Sequence, residues 1–302
     1  FEQLQFDNYT LDVDSSVITR YGEQEGSKRG YNPTKRGRNS HHPLFAFVND
    51  IRMVANCWNR SGNTGSSSNC IHFLEETFEI LTNKKVGLFR ADSGFCNETI
   101  MEFIEDKQVA YVMSCKLYAR LQGTIYGIKN WQALGMGIWI AEIEYKQGSW
   151  KPRRVVVIKQ QEEVRKKTTG KKLISLFKLE DIDRDKVFKT RYHAFVTNQS
   201  LPANEIWEQY KRRGDAENRI KELKEDFGVQ GFCMDDFCAT ETAMRFVMVA
   251  YNLMSLFRQV TLQKQPSPTL ATLRFNCFAV GSWIESNKLK MSVPLKRRQW
   301  YD

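Results

Sequence analysis

The first 115 residues alternate between strand-like and helix-like spacing of their apolar residues, and this alternation restricts the fold more than any other feature. Strands are predicted at 9–18, 44–48, 51–58, 86–91 and 109–115. Helices are predicted at 72–81 and 97–106, the second capped by Asn97. Asn49-Asp50 predicts a two-residue hairpin turn between the second and third strands. Strands interleaved with helices indicate an α/β fold.

The middle of the chain has a different character. From 116 to 191, strand-like segments at 137–145, 154–159 and 172–178 alternate with basic turns, and no long helical period is present. This pattern predicts a β-rich insertion. After an apolar segment at 194–198, helical spacing returns at 203–227 and 241–262. We therefore expect a core in two parts, 1–115 and 193–265, an insertion domain at 116–192 and a basic segment at 266–302.

Composition narrows the class of partner. The chain has 302 residues, 41% of them hydrophobic, which is enough to bury a sizeable core. Its formal net charge of +10 favours a polyanionic partner. The seven cysteines form no CxxC pair, which indicates reduced thiols in a cytoplasmic protein. The longest apolar stretch, 246–257, is shorter than the ~20 residues that span a bilayer, so no membrane partner is expected.

A charged segment at 206–228, IWEQYKRRGDAENRIKELKEDFG, carries the most information. At roughly 100° per residue, four polar residues fall on one narrow stripe of a helix. They are Tyr210, Arg213, Glu217 and Lys224. The apolar stripe beside them contains Ala216, Ile220, Leu223 and Phe227. A carboxylate flanked by a phenol and two cations suits a metal ion and phosphates. A solvated face with an ion pair between Glu217 and Lys221 is the alternative.

Three further acidic residues lie on or just after predicted strands. The first strand places Tyr9, Leu11 and Val13 on one face, with Asp12 and Asp14 on the other. Asp92 follows the strand at 86–91, where a turn or helix-capping role before Ser93-Gly94 is the alternative to a catalytic one. Spacing alone leaves Asp12 and Asp14 as rivals.

These motifs together resemble one family. The spacing Tyr-x2-Arg-x3-Glu-x6-Lys resembles the Y-R-E-K signature of DDE transposases encoded by bacterial insertion sequences. The contexts LDVDSS and RADSGF resemble those of the two aspartates of that family, and Ser15-Ser16 favours Asp14 over Asp12. The resemblance covers 9–262. It implies an α/β fold with an RNase H-like mixed sheet flanked by helices. It also implies a β-rich insertion between the second aspartate and the glutamate.

The resemblance also implies a function. Asp14, Asp92 and Glu217 would be the catalytic, metal-binding acids of an enzyme that cleaves and transfers DNA strands at transposon ends. Two Mg²⁺ ions, for which Mn²⁺ substitutes, would assist in-line displacement at phosphorus. The partner would be double-stranded DNA, both transposon ends and target, and the enzyme would act as a homodimer or larger synaptic complex in a bacterial cytoplasm, nucleoid-associated when bound to DNA. A catalytically inactive DNA-binding derivative and an RNase H-like nuclease without strand transfer are the alternatives.

Other residues are predicted to contact DNA. The resemblance assigns Tyr210, Arg213 and Lys224 to phosphates near the cleaved end. The basic loop at 20–38 and the insertion's basic turns are expected to follow the DNA backbone, although solvated charged loops are common. Their residues are Lys28, Arg29, Lys35, Arg36, Arg38, Arg153, Arg154, Lys166, Lys167, Lys171 and Lys172. Since some relatives stack an insertion-domain tryptophan on a flipped base, Trp131, Trp139 and Trp150 are candidates for base stacking, with packing in the β core as the alternative.

Overall fold

The computed structural model describes residues 8–275 except 83, 149, 165–186, 233 and 263–268, together with two strands at 281–285 and 288–292. The chain divides into two compact units. The first contains 1–89 and 213–302, and the second contains 90–212. The predicted strand at 172–178 lies outside the described residues.

The first unit combines a sheet, a small three-stranded sheet and helices. Its large-sheet strands lie in the order β6-β5-β1-β7, and its small sheet in the order β2-β4-β3. The strands are β1 (Tyr9–Ser15), β2 (Ile18–Thr19), β3 (Lys28–Arg29), β4 (Asn39–His41), β5 (Leu44–Val48), β6 (Met53–Trp58) and β7 (Val86–Ala91), of which the last residues open the second unit. The helices are α1 (Cys70–Ile80), α5 (Gly214–Glu225), α6 (Phe237–Phe257) and α7 (Leu270–Leu273).

The core of this unit forms where α5 and α6 cover the sheet. Ala216, Ile220 and Leu223 are buried against Phe45 and Phe47 of β5, with Phe227 packed at the margin. The apolar stripe predicted for the charged segment is therefore confirmed. Its burial fixes which side of α5 faces the sheet, because a helix with one apolar stripe turns that stripe away from water.

A buried polar network ties the small sheet to the end of α5. The Arg20 guanidinium donates through Nε to Nδ1 of His41 at 3.0 Å and through Nη1 to the carbonyl of Gln230 at 3.1 Å. Since His41 accepts at Nδ1, its Nε2 donates to the carbonyl of Glu25 at 2.9 Å. The ring is neutral, and burial lowers its pKa, with a smaller lowering from the Arg20 charge.

The second unit is built on an antiparallel sheet. Its strands lie in the order β8-β12-β11-β10-β9, and α2 and α4 pack on it. The strands are β8 (Ala110–Ser114), β9 (Gln132–Gly135), β10 (Ile138–Tyr145), β11 (Arg153–Val164) and β12 (Val187–Thr197). The helices are α2 (Glu98–Asp106), α3 (Ala119–Tyr126) and α4 (Ala203–Lys211). In the described part of the chain, no helix is long and apolar enough to cross a membrane.

The predicted α/β class, a mixed sheet flanked by helices, is confirmed. The Asn97 cap is confirmed as well, since its side chain accepts from the backbone N–H of Ile100 at 2.9 Å. This cap was predictable because the hydrogen bond joins residues within one helical turn. The RNase H-like topology remains a prediction.

Several boundaries differ from the prediction. The first strand stops at Ser15, and it is buried on both faces. The hairpin turn spans Asn49–Arg52, with Arg52 at a positive φ of 51°. The helix α3 was missed, because its eight residues are too few to show a clear period. The last long helix starts at Phe237, where Asp236 caps it, and ends in a π-helical turn over Arg258–Leu262.

The predicted single helix at 203–227 is wrong, because it divides into α4 and α5 around Arg212 and Arg213. Both residues keep right-handed helical angles, and the carbonyl of Arg213 accepts from Ala216 three residues on, the spacing of a tighter turn. Gly214, a poor helix former, stands at the break. The break places Tyr210 in one compact unit and Arg213 in the other.

Candidate active site

Asp14 lies at the end of β1, where the strand leaves the sheet. Its Oδ1 accepts the backbone N–H of Ser15 at 2.8 Å, and its Oδ2 lies 2.9 Å from Nη2 of Arg213. The side chain is 12% exposed. The nearly buried carboxylate is thus paired with a cation, which offsets the cost of burying its charge.

Arg213 connects this aspartate to Glu217. Its Nη1 lies 3.4 Å from Oε1 of Glu217, one helical turn further along the chain. The guanidinium is only 4% exposed, whereas the Glu217 side chain is 69% exposed. One buried cation therefore stands between two of the three predicted acids. The alternative pairing of Glu217 with Lys221 is not the one formed, since Lys221 pairs with Glu225 at 3.9 Å.

Lys224 adds a second cation near Asp14. Its Nζ donates to the carbonyl of Val17 at 2.9 Å, just beyond the end of β1. Burial lowers the pKa of Lys224, and the negative charge of Asp14 opposes that lowering. Arg213, Glu217 and Lys224 of the predicted stripe thus lie on the side of α5 that meets Asp14.

Asp12, the rival of Asp14, has a different electrostatic neighbour. It is fully buried, and its charge acts on Arg219. Burial lowers the pKa of Arg219, and Tyr251 and then Asp12 oppose the lowering. Arg219 also donates to the backbone and side chain of Asn49 at 3.1 and 2.6 Å. Asp12 therefore faces a structural arginine, whereas Asp14 faces the residues of the signature.

Asp92, the third predicted acid, belongs to the second unit and follows β7 directly. Its Oδ1 accepts the backbone N–H of Gly94 at 2.8 Å, and its carbonyl accepts from Phe95 at 3.2 Å. The turn role considered as an alternative is thus present. One carboxylate oxygen engaged by a backbone N–H leaves a second oxygen for other ligands, so the two roles are compatible.

Tyr210 lies in α4, and its ring packs on Phe195 of β12 with 4.4 Å between centroids. This contact gives the ring a packing role within the second unit. The Y-R-E-K residues are thus contiguous in sequence but divided between two units.

The acids of the first unit fit a divalent ion. Asp14 and Glu217 supply carboxylate oxygens, the donors that Mg²⁺ and Mn²⁺ prefer, and both already turn toward one positive charge. Over the residues that the structure describes, no group of three or more His, Cys, Asp or Glu side chains is gathered as a metal site. In this structure the positive charge between the two carboxylates comes from Arg213.

The basic loop of the first unit is largely exposed. Lys28 and Arg29 form the exposed strand β3, and Arg36 is exposed as well. Lys35 and Arg38 lie over the ring of Tyr21, with 4.8 and 5.9 Å to its centroid. The loop therefore presents cations around an exposed aromatic ring.

The two arginines of the insertion are paired within the protein. Arg153 is buried and lies 3.0 Å from Glu105, with a further hydrogen bond to the Tyr111 hydroxyl at 3.1 Å. The charge of Arg153 is therefore paired inside the second unit, and its predicted contact with DNA stays a prediction. Arg154 pairs with Glu142 at 2.8 Å but stays partly exposed. Lys166, Lys167, Lys171 and Lys172 lie outside the described residues.

Two of the three candidate tryptophans surround one lysine. Trp139, Lys159 and Tyr192 are directly opposite one another on β10, β11 and β12. Lys159 lies 5.0 Å from the ring centroid of Trp139 and 5.7 Å from that of Trp131. Trp150 stands outside this row, after β10, and is partly exposed. The alternative of packing in the β core does not describe Trp139, which is partly exposed on the face of the sheet.

The loop at 61–69 also approaches Asp14, which no sequence pattern indicates. Buried Arg60 donates to three carbonyls of this loop, Gly65, Ser66 and Ser68, at 2.7 to 3.1 Å. Ser66 then lies 3.2 Å from the hydroxyl of Ser15, beside Asp14. No sequence signal predicts which arginine will be buried, since charge patterns indicate solvated residues first.

Comparison with known proteins places the chain. A family model described as transposase DDE domain group 1 matches residues 4–301. The chain belongs to this family. No curated protein matches it. A solved structure, the piggyBac transposase synaptic complex with hairpin DNA, is similar at 9% identity and a TM-score of 0.45, covering 89% of this chain. The chain spans 57% of the length of that transposase.

Proposed function

We propose that this DDE-family chain cleaves and transfers DNA strands at transposon ends, with Asp14, Asp92 and Glu217 as its metal ligands. The observation that supports this most directly is the convergence of Asp14 and Glu217, which are far apart in the sequence, on one buried positive charge. A buried charge such as that of Arg213 is strongly unfavourable without a partner. Family membership supplies the reaction class.

The proposed role of each residue follows from the chemistry of its side chain. Asp14, Asp92 and Glu217 would hold Mg²⁺ or Mn²⁺, and the two bound ions would activate the attacking oxygen and stabilise the leaving one. Arg213 and Lys224 place positive charge near Asp14, where it would attract a DNA phosphate. Ser15 holds Asp14 in orientation through its backbone N–H.

The partner is double-stranded DNA, and the enzyme works in a bacterial nucleoid as a homodimer or larger synaptic complex. The exposed cations of the loop at 28–38 support binding to the DNA backbone, because phosphate contacts supply most of the non-specific affinity. The row of Trp139, Lys159 and Tyr192 supports stacking of an unpaired base, since aromatic faces and a cation favour π-systems.

A strand-cleavage assay tests the proposal. The substrate is a plasmid carrying the inverted repeats that flank this chain's own coding sequence, incubated with Mg²⁺ or Mn²⁺. Glu217→Gln should abolish both nicks and joined products without loss of folding, because the side chain is exposed. Glu225→Gln is the matched control, with the same charge change on the same helix. Full activity of Glu217→Gln would refute the assignment.

Product analysis separates the two rival functions. Normal end binding by the wild type without metal-dependent cleavage would favour an inactive DNA-binding derivative. Cleavage with only hydrolysed ends, and no joined products, would favour an RNase H-like nuclease.

A further inference from the structure

The Arg213 guanidinium occupies the space where the two carboxylates of the first unit converge. Nη2 lies 2.9 Å from Asp14 and Nη1 lies 3.4 Å from Glu217. A divalent ion bound by these acids would compete with Arg213 for the same oxygens, and its charge would be repelled by the guanidinium. Lys224, which senses the charge of Asp14, adds to that repulsion.

Each oxygen of the Asp14 carboxylate already has one partner while this pairing lasts. Oδ1 accepts from the backbone of Ser15 and Oδ2 faces Arg213, within a side chain that is almost buried. A divalent ion binding at Oδ2 would be repelled by the guanidinium charge and would favour its displacement. The displaced guanidinium needs a new anionic partner, because a buried cation without one is strongly unfavourable.

A DNA phosphate is such a partner. The planar guanidinium fork binds a phosphate as it binds a carboxylate, through two parallel hydrogen bonds. Access lies on the Glu217 side, because that side chain is largely exposed and its movement uncovers Nη1. Lys224, the other cation near Asp14, is anchored to the carbonyl of Val17 just beyond β1.

We propose that Arg213 is a positioning residue that withholds Asp14 from the metal until a DNA phosphate draws the guanidinium away. Metal binding and DNA binding are then positively coupled through this one side chain. The inference rests on the proposed function, since it takes Asp14 as a metal ligand. Coupling is reciprocal, so Mn²⁺ also tightens DNA binding by the same factor. The device prevents metal-activated cleavage before an end is in place.

Calorimetric titration with Mn²⁺ tests the coupling. Wild type, Arg213→Gln and the control Arg212→Gln are titrated alone and with a short mixed-sequence duplex, after subtraction of Mn²⁺ binding to the duplex. Arg212 is the exposed neighbour of the same charge. Without DNA, Arg213→Gln should bind Mn²⁺ about tenfold more tightly than wild type. With DNA, the Mn²⁺ affinity of the wild type should rise about tenfold, and that of Arg213→Gln should not rise. In the absence of DNA, Arg212→Gln should match the wild type.

Other results of the titration would overturn the inference or the metal site itself. Equal or weaker Mn²⁺ affinity of Arg213→Gln without DNA overturns the inference, provided that its thermal melt shows a folded protein. Should that variant unfold, Arg213→Lys replaces it: the single ammonium cannot bridge both carboxylates, so Mn²⁺ affinity without DNA should rise and its gain from DNA should shrink. Asp14→Asn distinguishes failure of the proposed metal site from failure of the proposed coupling. If it leaves Mn²⁺ binding unchanged, the proposed site fails; if it abolishes binding while Arg213→Gln matches wild type, only the coupling fails.

Discussion

The ion pair between Asp14 and Arg213 should stabilise the first unit when no metal is bound. With charge centres about 4 Å apart and an effective dielectric near 20, the gross attraction is about 4 kcal/mol. Asp14→Asn keeps the acceptor for Ser15 but removes the nearer of the two carboxylates that face buried Arg213. We expect the free energy of unfolding to fall by about 3 kcal/mol.

Urea unfolding followed by circular dichroism, in a metal-free buffer, measures this change. A double-mutant cycle with Asp14→Asn and Arg213→Gln should give a coupling energy of about 2 kcal/mol. The matched control is the exposed pair Lys221–Glu225 on the same helix, 3.9 Å apart, which should couple by less than about 0.5 kcal/mol. Additive effects at Asp14 and Arg213, or a coupling no larger than that of the control pair, would refute the reasoning.

Three further predictions follow from other parts of the structure. Replacing Lys35, Arg36 and Arg38 with Gln should weaken duplex DNA binding and reduce the salt slope of log K by about 0.9 for each phosphate that the loop no longer neutralises; an unchanged slope in fluorescence anisotropy would place DNA elsewhere. Trp139→Ala should weaken binding of single-stranded DNA by about 1–3 kcal/mol, against little effect for Trp150→Ala; equal losses would argue against a stacking row around Lys159. Because the pKa of buried neutral His41 is lowered below its ordinary value of 6.5, the unfolded chain takes up its proton first, so stability should fall as pH drops below about 6.5. His41→Gln should flatten that dependence in thermal melts, whereas a change at exposed His72 should not.

Features set by neighbouring residues were predictable from the sequence. The Asn97 cap needs only the N–H of Ile100, and the apolar stripe of α5 needs only helical spacing. The order of strands and helices, and with it the α/β class, follows from the same local periodicities. The Y-R-E-K spacing identified the family for the same reason, because the signature occupies one short segment.

Features set by burial and by distant partners were not predictable. Arg153 and Arg213 belong to equally basic stretches, yet one is neutralised by Glu105 and the other by Asp14. The sequence does not indicate which carboxylate each arginine will contact, because the partner of a charge depends on which segments the sheet brings together. The break at Arg212 and Arg213 was not predicted either, since the local angles stay helical while the hydrogen-bond pattern changes.

The sequence by itself therefore determined which residue types are available for the proposed strand transfer, their order along the chain and the class of fold. The tertiary structure decided that Asp14 lies against Arg213 whereas the charge of Asp12 acts on Arg219, and that Arg213 stands between the two carboxylates. The physical reason is that periodicity and capping act over a few residues, whereas the electrostatic environment of a carboxylate is set by whichever distant charges folding buries beside it.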